Sequence, residues 1–476
     1  LRQLKWPGIM VPNDLKSCYD QICHSIGSLC LRRQGVAESE VVFVFTLIQN
    51  LEHEICTAYG DSDKCYDGKN EIWAVPMQGV YQGNGGGPTI WAVVSSPLLQ
   101  IMKKEGFGTF FKASITNGIV CIVGYAFVDD TDLVQTGRDG SESSLDVLKK
   151  MQDGLDLWEG LVSATGGAIE VSKSTRSLID FIWDANGKWR YATKADIPAE
   201  LWVKDVSGAR QAVPRLETSQ SFNTLGVHLG PVGSQLAAYE YLKETAKTWA
   251  DKLRTSFLKE KEANAALKTT ILKKLEYPLP ALTLSEKQCN AIIQPVLNAA
   301  LPKAKFNRNF PRASLYGPGS HQGCEIHNLY TSQVIEHLDA ALRHGPFDTM
   351  TGELLRGSLE ALTTELGLPG KPLSYSYRAH SKLVTDCWWK DVWRETDELS
   401  IRMDSQTEAL PLQRANDQFL MTEFIANEFK NNRLVRLNRC RLFLQVYTLA
   451  DICSGNGRRL CKEFFDGRNP MPGSSR

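Results

Sequence analysis

Two adjacent carboxylates, Asp129 and Asp130, interrupt an apolar stretch. Ile119-Val120-Cys121-Ile122-Val123-Gly124-Tyr125-Ala126-Phe127-Val128 precedes them and Thr131-Asp132-Leu133-Val134 follows. β-Branched and aromatic residues in such runs predict two strands, and the acids between them predict a hairpin turn. Like charges held that close raise each other's pKa and repel. Two resolutions are open. The pair is a solvated turn, aspartate being common in turns, or a divalent cation balances its charge and gives it a chemical role.

The rest of the chain is large enough to support such a site. Its 476 residues are 42% apolar, which predicts a sizeable core and two or three domains. Basic and acidic residues balance at 54 each, so contact with nucleic acid has to come from local patches. The 12 cysteines are scattered without a CxxC pair, which points to reduced thiols inside a cell rather than a disulfide framework. No apolar run is long enough to span a membrane, and no signal peptide is visible. The sequence begins at Leu1 rather than at a methionine, and a fragment of a longer reading frame is expected.

Hydrophobic spacing predicts a short strand at Ile9 to Val11 that runs to Asp14, then helices over about 18–33 and 38–59. A strand is expected at Ile72 to Val75. It leads to a glycine loop, Gly83-Asn84-Gly85-Gly86-Gly87, and Pro88 opens a helix that Pro97 should kink. Ser144 is the expected N-cap of a helix with Leu145, Leu148, Met151, Leu155, Trp158 and Leu161 on one face, closed by Gly166-Gly167. Strands follow at 168–171, 176–183 and 188–191, the last two joined by an Asn186-Gly187 turn, and another at 225–229. From about Gly233 onward the pattern is mainly helical, with breaks near 311–323 and 368–373.

Four pieces recur in order: Asp14 with Tyr19 five residues on, the run Gln82-Gly83-Asn84-Gly85-Gly86-Gly87-Pro88, Phe127-Val128-Asp129-Asp130, and the stretch from Gly167 to Lys173. Together they resemble the palm domain of reverse transcriptases, in the style of retrotransposon and group II intron enzymes. The match covers roughly the first half of the chain. Leu225-Gly226 fits the family's next element, the primer grip. The resemblance implies an α+β fold: a right-hand polymerase palm, its antiparallel sheet packed with helices, over residues 1–232. A helical thumb over 233–310 and a helical C-terminal extension over 311–476 complete it. It implies an RNA template, a DNA primer and deoxynucleoside triphosphates as partners, no membrane, and a place in the nucleus or in a ribonucleoprotein.

The physical reasons stand beside the resemblance. Nucleotide addition is an in-line displacement in which two metal ions stabilise the attacking and leaving oxygens. Magnesium, or manganese in its place, wants hard oxygen ligands. Asp14 and Asp129 suit that role, with Asp130 a weaker ligand and the Leu15 carbonyl a further one by resemblance. Asp14 also fits a helix N-cap. Tyr19 is expected to exclude a 2′-hydroxyl from the sugar site, unless it simply packs in the core. Gln82 and Gly83 would approach a base pair closely, since the glycines carry no side chain. The helix at Pro88 aims its N-terminus toward phosphates. Phe127 replaces the tyrosine of the family's YADD-like box. Lys173 either protonates the leaving pyrophosphate, neutralises it, or lies in solvent.

Lys243, Lys247 and Arg254, with Lys252, Lys259 and Lys261, form one basic stretch; Lys430, Arg433, Arg436 and Arg439, with Arg441 beside them, form another. Each is either a phosphate-binding face or a solvated helix face. His321 to His327 lacks the partner pair a structural zinc site needs. Only 13 residues precede Asp14, so the family's basic fingers are mostly missing from the chain. The expected function is RNA-directed DNA polymerisation. The alternatives are an inactive remnant or RNA-binding, maturase-like module, and an unrelated two-metal nuclease or phosphotransferase.

Overall fold

The main sheet forms around strand β1 (Gly8–Leu15), whose alternate residues Ile9, Val11 and Leu15 are buried. The computed structural model describes residues 5–51, 54, 56–62, 79–81, 83, 85–138, 141–205, 207–403, 408–427, 429, 431–453 and 459–461. The strand expected at Ile72 to Val75 lies outside them, as do Gln82 and Lys430.

After β1 the chain forms α1 (Cys18–Gln21), α2 (His24–Arg33) and α3 (Glu38–Gln49). The single helix expected over 18–33 is therefore broken, because Ile22 and Cys23 adopt extended backbone. The helix expected to reach Tyr59 stops at Gln49, and a two-residue ribbon follows, β2 (Cys56–Thr57) with β3 (Gly60–Asp61). Helix α4 (Gly87–Lys104) starts with proline in its first turn and continues through Pro97. Strands β4 (Thr109–Lys112) and β5 (Ile119–Ile122) make a hairpin, and β6 (Gly124–Phe127) and β7 (Asp130–Thr136) make the hairpin with the acidic turn.

Helix α5 (Ser144–Ala164) is capped one residue earlier than expected. Ser143 accepts from the Asp146 amide while the Asp146 carboxylate accepts from the Ser143 amide. Ser144 instead donates its hydroxyl to Asp180. Leu145 is exposed; Val147, Leu148, Met151, Leu155, Trp158 and Val162 form the buried stripe. At the far end Gly166 has φ 95°, and a Cβ there would stand 2.2 Å from the Gln21 carbonyl oxygen. Only glycine lets α5 end against α1.

Short strands β8 (Ile169–Glu170) and β9 (Arg176–Ile179) return to β1. Hairpins β10 (Phe181–Trp183)/β11 (Trp189–Tyr191) and β12 (Trp202–Lys204)/β13 (Arg210–Ala212) project beyond, and β14 (Arg215–Leu216) pairs in parallel with β9. The sheet order is β14-β9-β1-β7-β6, with β8 also on β1. Helices α4 and α5 cover one face, where Ile9, Val11, Leu15, Leu133 and Leu178 meet Val147, Leu155 and Trp158 in the first core. By alternation Gly8, Met10, Pro12 and Asp14 occupy the opposite face.

Hairpin β15 (Phe222–Thr224)/β16 (Val227–Leu229) turns at Leu225-Gly226, both at positive φ, and the Tyr277 hydroxyl donates to the Leu225 carbonyl at 2.7 Å. A second core joins α6 (Leu236–Thr255), α7 (Glu260–Ala265), α8 (Leu272–Glu276) and α9 (Glu286–Lys303). It continues into α10 (Arg312–Tyr316) and α11 (Leu329–His344) through Leu315, Leu329 and Val334, so residues on both sides of 311 share it.

A third core lies among α12 (Met350–Leu366), α13 (Tyr377–His380), α14 (Trp388–Glu398), α15 (Leu420–Ala426) and α16 (Asn431–Leu444), with α17 (Leu449–Ile452) after them. The architecture is α+β. Polar contacts tie the cores together. Wholly buried Glu395 accepts from Gln333 and bonds His337. Buried Glu360 on α12 accepts from the Ile115 and Thr116 amides and the Thr116 hydroxyl, in the β4–β5 turn. Among the described residues no helix is long and apolar enough to cross a membrane.

Candidate active site

The register of β1 decides the site. Asp14 is the direct antiparallel partner of Asp130 on β7, and the Leu15 amide donates to the Asp129 carbonyl at 3.2 Å. On its other side Asp14 is registered with Glu170 on β8. Direct cross-strand partners share a face, so Asp14, Asp130 and Glu170 form one acidic row across three strands. Asp14 is 8% exposed. The charge is met by Lys173, whose Nζ lies 2.7 Å from Asp14 Oδ2. That contact holds the lysine pKa above its ordinary value. Lys173 makes this contact from a largely exposed position.

The acids also perturb one another. Burial, then Asp129 and Asp14, push the Asp130 carboxyl up, and Lys173 opposes them. Burial and Asp130 raise Asp132 to about 6. The Ser172 hydroxyl holds Glu170 below the ordinary carboxylate range. A site that raises the pKa of adjacent carboxylates is one that a cation would relieve.

The turn that carries the pair is strained. Val128 sits at φ 61°, a region where a β-branched residue is an outlier. The buried indole of Trp91, on α4, donates to the Val128 carbonyl and pins the turn. Beneath it Asn13, 4% exposed, donates to the Thr131 carbonyl at 2.8 Å and accepts from the Trp158 indole at 3.3 Å. Neither Trp91 nor Glu170 stood out in the sequence. Asn13 left one signal, a polar residue on the core-facing register of an apolar strand.

Tyr19 is half-buried on α1, which follows Ser17 in the left-handed region at φ 47°. Its carbonyl accepts from the Val80 amide at 2.8 Å. A Cβ on Gly87 would come within 3.3 Å of the Tyr19 ring. Gly87, the last glycine of the run, thus seats the ring, so the first two motifs meet in space. Gly83 has φ 94°, and among the described residues nothing stands within 4 Å of where its Cβ would be. Phe127 is 60% exposed at the end of β6, registered with Asp130.

The basic stretches behave differently. Lys243, Lys247 and Arg254 share one face of α6, but each stands within 4.0 Å of an acid three residues earlier, Glu240, Glu244 and Asp251. Arg433 and Arg436 are exposed on α16, with Arg433 stacked over Phe429. Arg441 does not extend that face: it is 2% exposed and donates to the Thr364 and Glu365 carbonyls that end α12. His327 bonds Glu276 at 2.6 Å.

No family model matches the chain, and no curated protein matches it. Among solved structures it is similar to telomerase from Candida tropicalis in complex with a TWJ fragment of telomeric RNA, at 12% identity and TM-score 0.27, covering 74% of this chain and 50% of that one. Apo telomerase from the same organism scores 0.28 at 12% identity, over 74% and 53%. Telomerase from Candida albicans with the TWJ fragment scores 0.29 at 11% identity, over 75% and 49%. The chain spans about half the length of each. Likeness at these scores sets neither fold nor function.

Proposed function

We propose that this chain is an RNA-directed DNA polymerase of a retroelement. In this reading residues 1–232 are the palm and the helices from 233 onward the thumb and an extension, the boundary expected at 310–311 falling inside the second core. The observation that supports it is the register that sets Asp14 against Asp129-Asp130, bringing an acid and an acidic pair 115 residues further along the chain to one end of the sheet. The donor set fits magnesium or manganese: hard carboxylate oxygens, with a lysine ammonium standing where positive charge is required. Among the described residues no three His, Cys, Asp or Glu side chains form a group that would hold an ion alone.

Asp14, Asp129, Asp130 and the Leu15 carbonyl would hold the ions. When bound, they supply charge stabilisation at the attacking and leaving oxygens. Lys173 would neutralise Asp14 between substrates and give a proton to the leaving pyrophosphate. Tyr19, seated on Gly87, would close the space a 2′-hydroxyl needs, and Gln82 and Gly83 would lie along the template base pair. Lys243, Lys247, Arg254, Lys430, Arg433 and Arg436 would track the backbone of the primer–template, with the protein working in a ribonucleoprotein.

Primer extension on an RNA template by the full-length protein tests this. Extension should require magnesium and fall at least about 1000-fold in Asp129→Ala. An inactive full-length protein, or an active Asp129→Ala, overturns the reading. A second reading, an RNA-binding module without catalysis, draws on the ion pair that occupies Asp14. It expects RNA binding that survives Asp129→Ala with no extension in the unaltered protein.

A further inference from the structure

Lys173 and a metal ion would compete for the same carboxylate. The lysine Nζ lies 2.7 Å from Asp14 Oδ2, and magnesium on that carboxylate would sit about 2.0–2.1 Å from an oxygen. An ammonium and a divalent ion that close repel strongly. If Asp14 takes an ion, Lys173 has to leave it, and its charge needs another partner. The backbone does not supply the movement. The Lys16 amide donates to the Ala168 carbonyl at 2.9 Å and the Thr175 amide to the Pro12 carbonyl at 3.0 Å, which stitches the segment to β1 on either side of Asp14. The Ser174 hydroxyl donates to the Glu170 carbonyl at 2.9 Å. The Lys173 side chain, 69% exposed, has the freedom the backbone lacks.

Glu170 lies within its arc. It is the direct antiparallel partner of Asp14, which sets the two Cβ atoms about 4.5–5.5 Å apart on one face. It is also the N-cap of the 3₁₀ turn Val171–Lys173 that Lys173 ends, and residues three apart on such a turn eclipse. A lysine that reaches Asp14 therefore reaches Glu170. The Ser172 hydroxyl donates to Glu170 Oε1 at 2.6 Å, which orients the carboxylate without neutralising it. The charges already act on one another. Asp14 raises the Lys173 pKa and Glu170 adds to the rise; Ser172 lowers the Glu170 pKa, with Lys16 and Lys173 adding to the fall. Asp129 acts on Lys173 too, but in the metal-site reading it holds an ion.

We propose that Glu170 is a positioning residue: when a divalent ion takes Asp14, Glu170 receives the displaced Lys173 ammonium and holds it beside the ion. One ion pair is exchanged for another across neighbouring strands, and the lysine stays charged and near the acidic row. The role rests on the metal site proposed above, and it gives a use to the one member of that row to which the metal site assigns none.

Titration of the full chain with Mn²⁺, read by the paramagnetic resonance of the free ion, tests it without any need for catalysis. Binding that is lost in Asp14→Asn belongs to this site. Lys173→Ala removes the competitor and should tighten that binding about 10-fold. Glu170→Gln, which keeps the shape of the side chain, leaves the ammonium without its second partner and should weaken binding roughly 3- to 10-fold. Most of that loss should disappear when Lys173 is already alanine. A direct ligand or a purely structural residue would give no such coupling. Equal losses from Glu170→Gln in both backgrounds, or an affinity that either single substitution leaves unchanged, overturn the role of Glu170 and leave the metal site standing. No Asp14-dependent Mn²⁺ binding, in the parent or in Lys173→Ala, overturns the metal site itself and the exchange with it.

Discussion

Val128 holds a backbone conformation that its branched side chain resists, at a cost of about 1–3 kcal/mol. Something outside the turn must hold it there, and the Trp91 indole is bonded to the carbonyl that does the turning. The consequence is specific. Trp91→Phe keeps the ring and removes the N–H, so the fold should lose only about 1 kcal/mol. The acids, however, would ride on a looser turn. Steady-state extension assays should show kcat down about 10-fold with RNA affinity unchanged. An unchanged kcat would show that neighbouring strands alone set the turn.

On α6 each cation of the stripe carries its own acid, so the face is close to neutral despite its lysines. Exposed pairs of this kind are worth little to stability, which leaves them free to trade a carboxylate for a phosphate. Glu240→Gln with Glu244→Gln should therefore leave Tm nearly unchanged and tighten RNA binding severalfold. The salt slope should steepen by about one to two released ions. Binding measured across a salt series checks this, and a slope no steeper than the parent's removes α6 from the interface. At this scale the sequence was readable where periodicity is strong: the β6–β7 hairpin, α5 and the Asn186-Gly187 turn stand where their residues predict. It was unreadable where a single backbone event intervenes. Nothing local announces that Ile22 and Cys23 turn extended, and the β12–β13 hairpin has too little alternation to be seen. The site followed the same rule. The acids were legible as local motifs, while Trp91, which acts across 37 residues, left no local trace.

Across the whole molecule three cores follow one another along the chain, yet the third touches the first. Glu360 is buried at 4% exposure and takes three hydrogen bonds from the β4–β5 turn, beside a Ser114–Thr364 hydroxyl contact of 2.8 Å. Glu360→Ala strands two backbone amides and should cost about 2–3 kcal/mol. Hydrogen exchange should then accelerate at residues 113–118 first, while β1 and β7 stay protected. Exchange unchanged at that turn would show that the latch bears no load. The same latch sets an order of events during synthesis. Thr116 and Glu360 are 244 residues apart, and a ribosome adding roughly 5–20 residues per second needs about 12–50 s to cover that distance. For that interval the β4–β5 turn waits without its partner on the growing chain, and a chaperone has that long to find it.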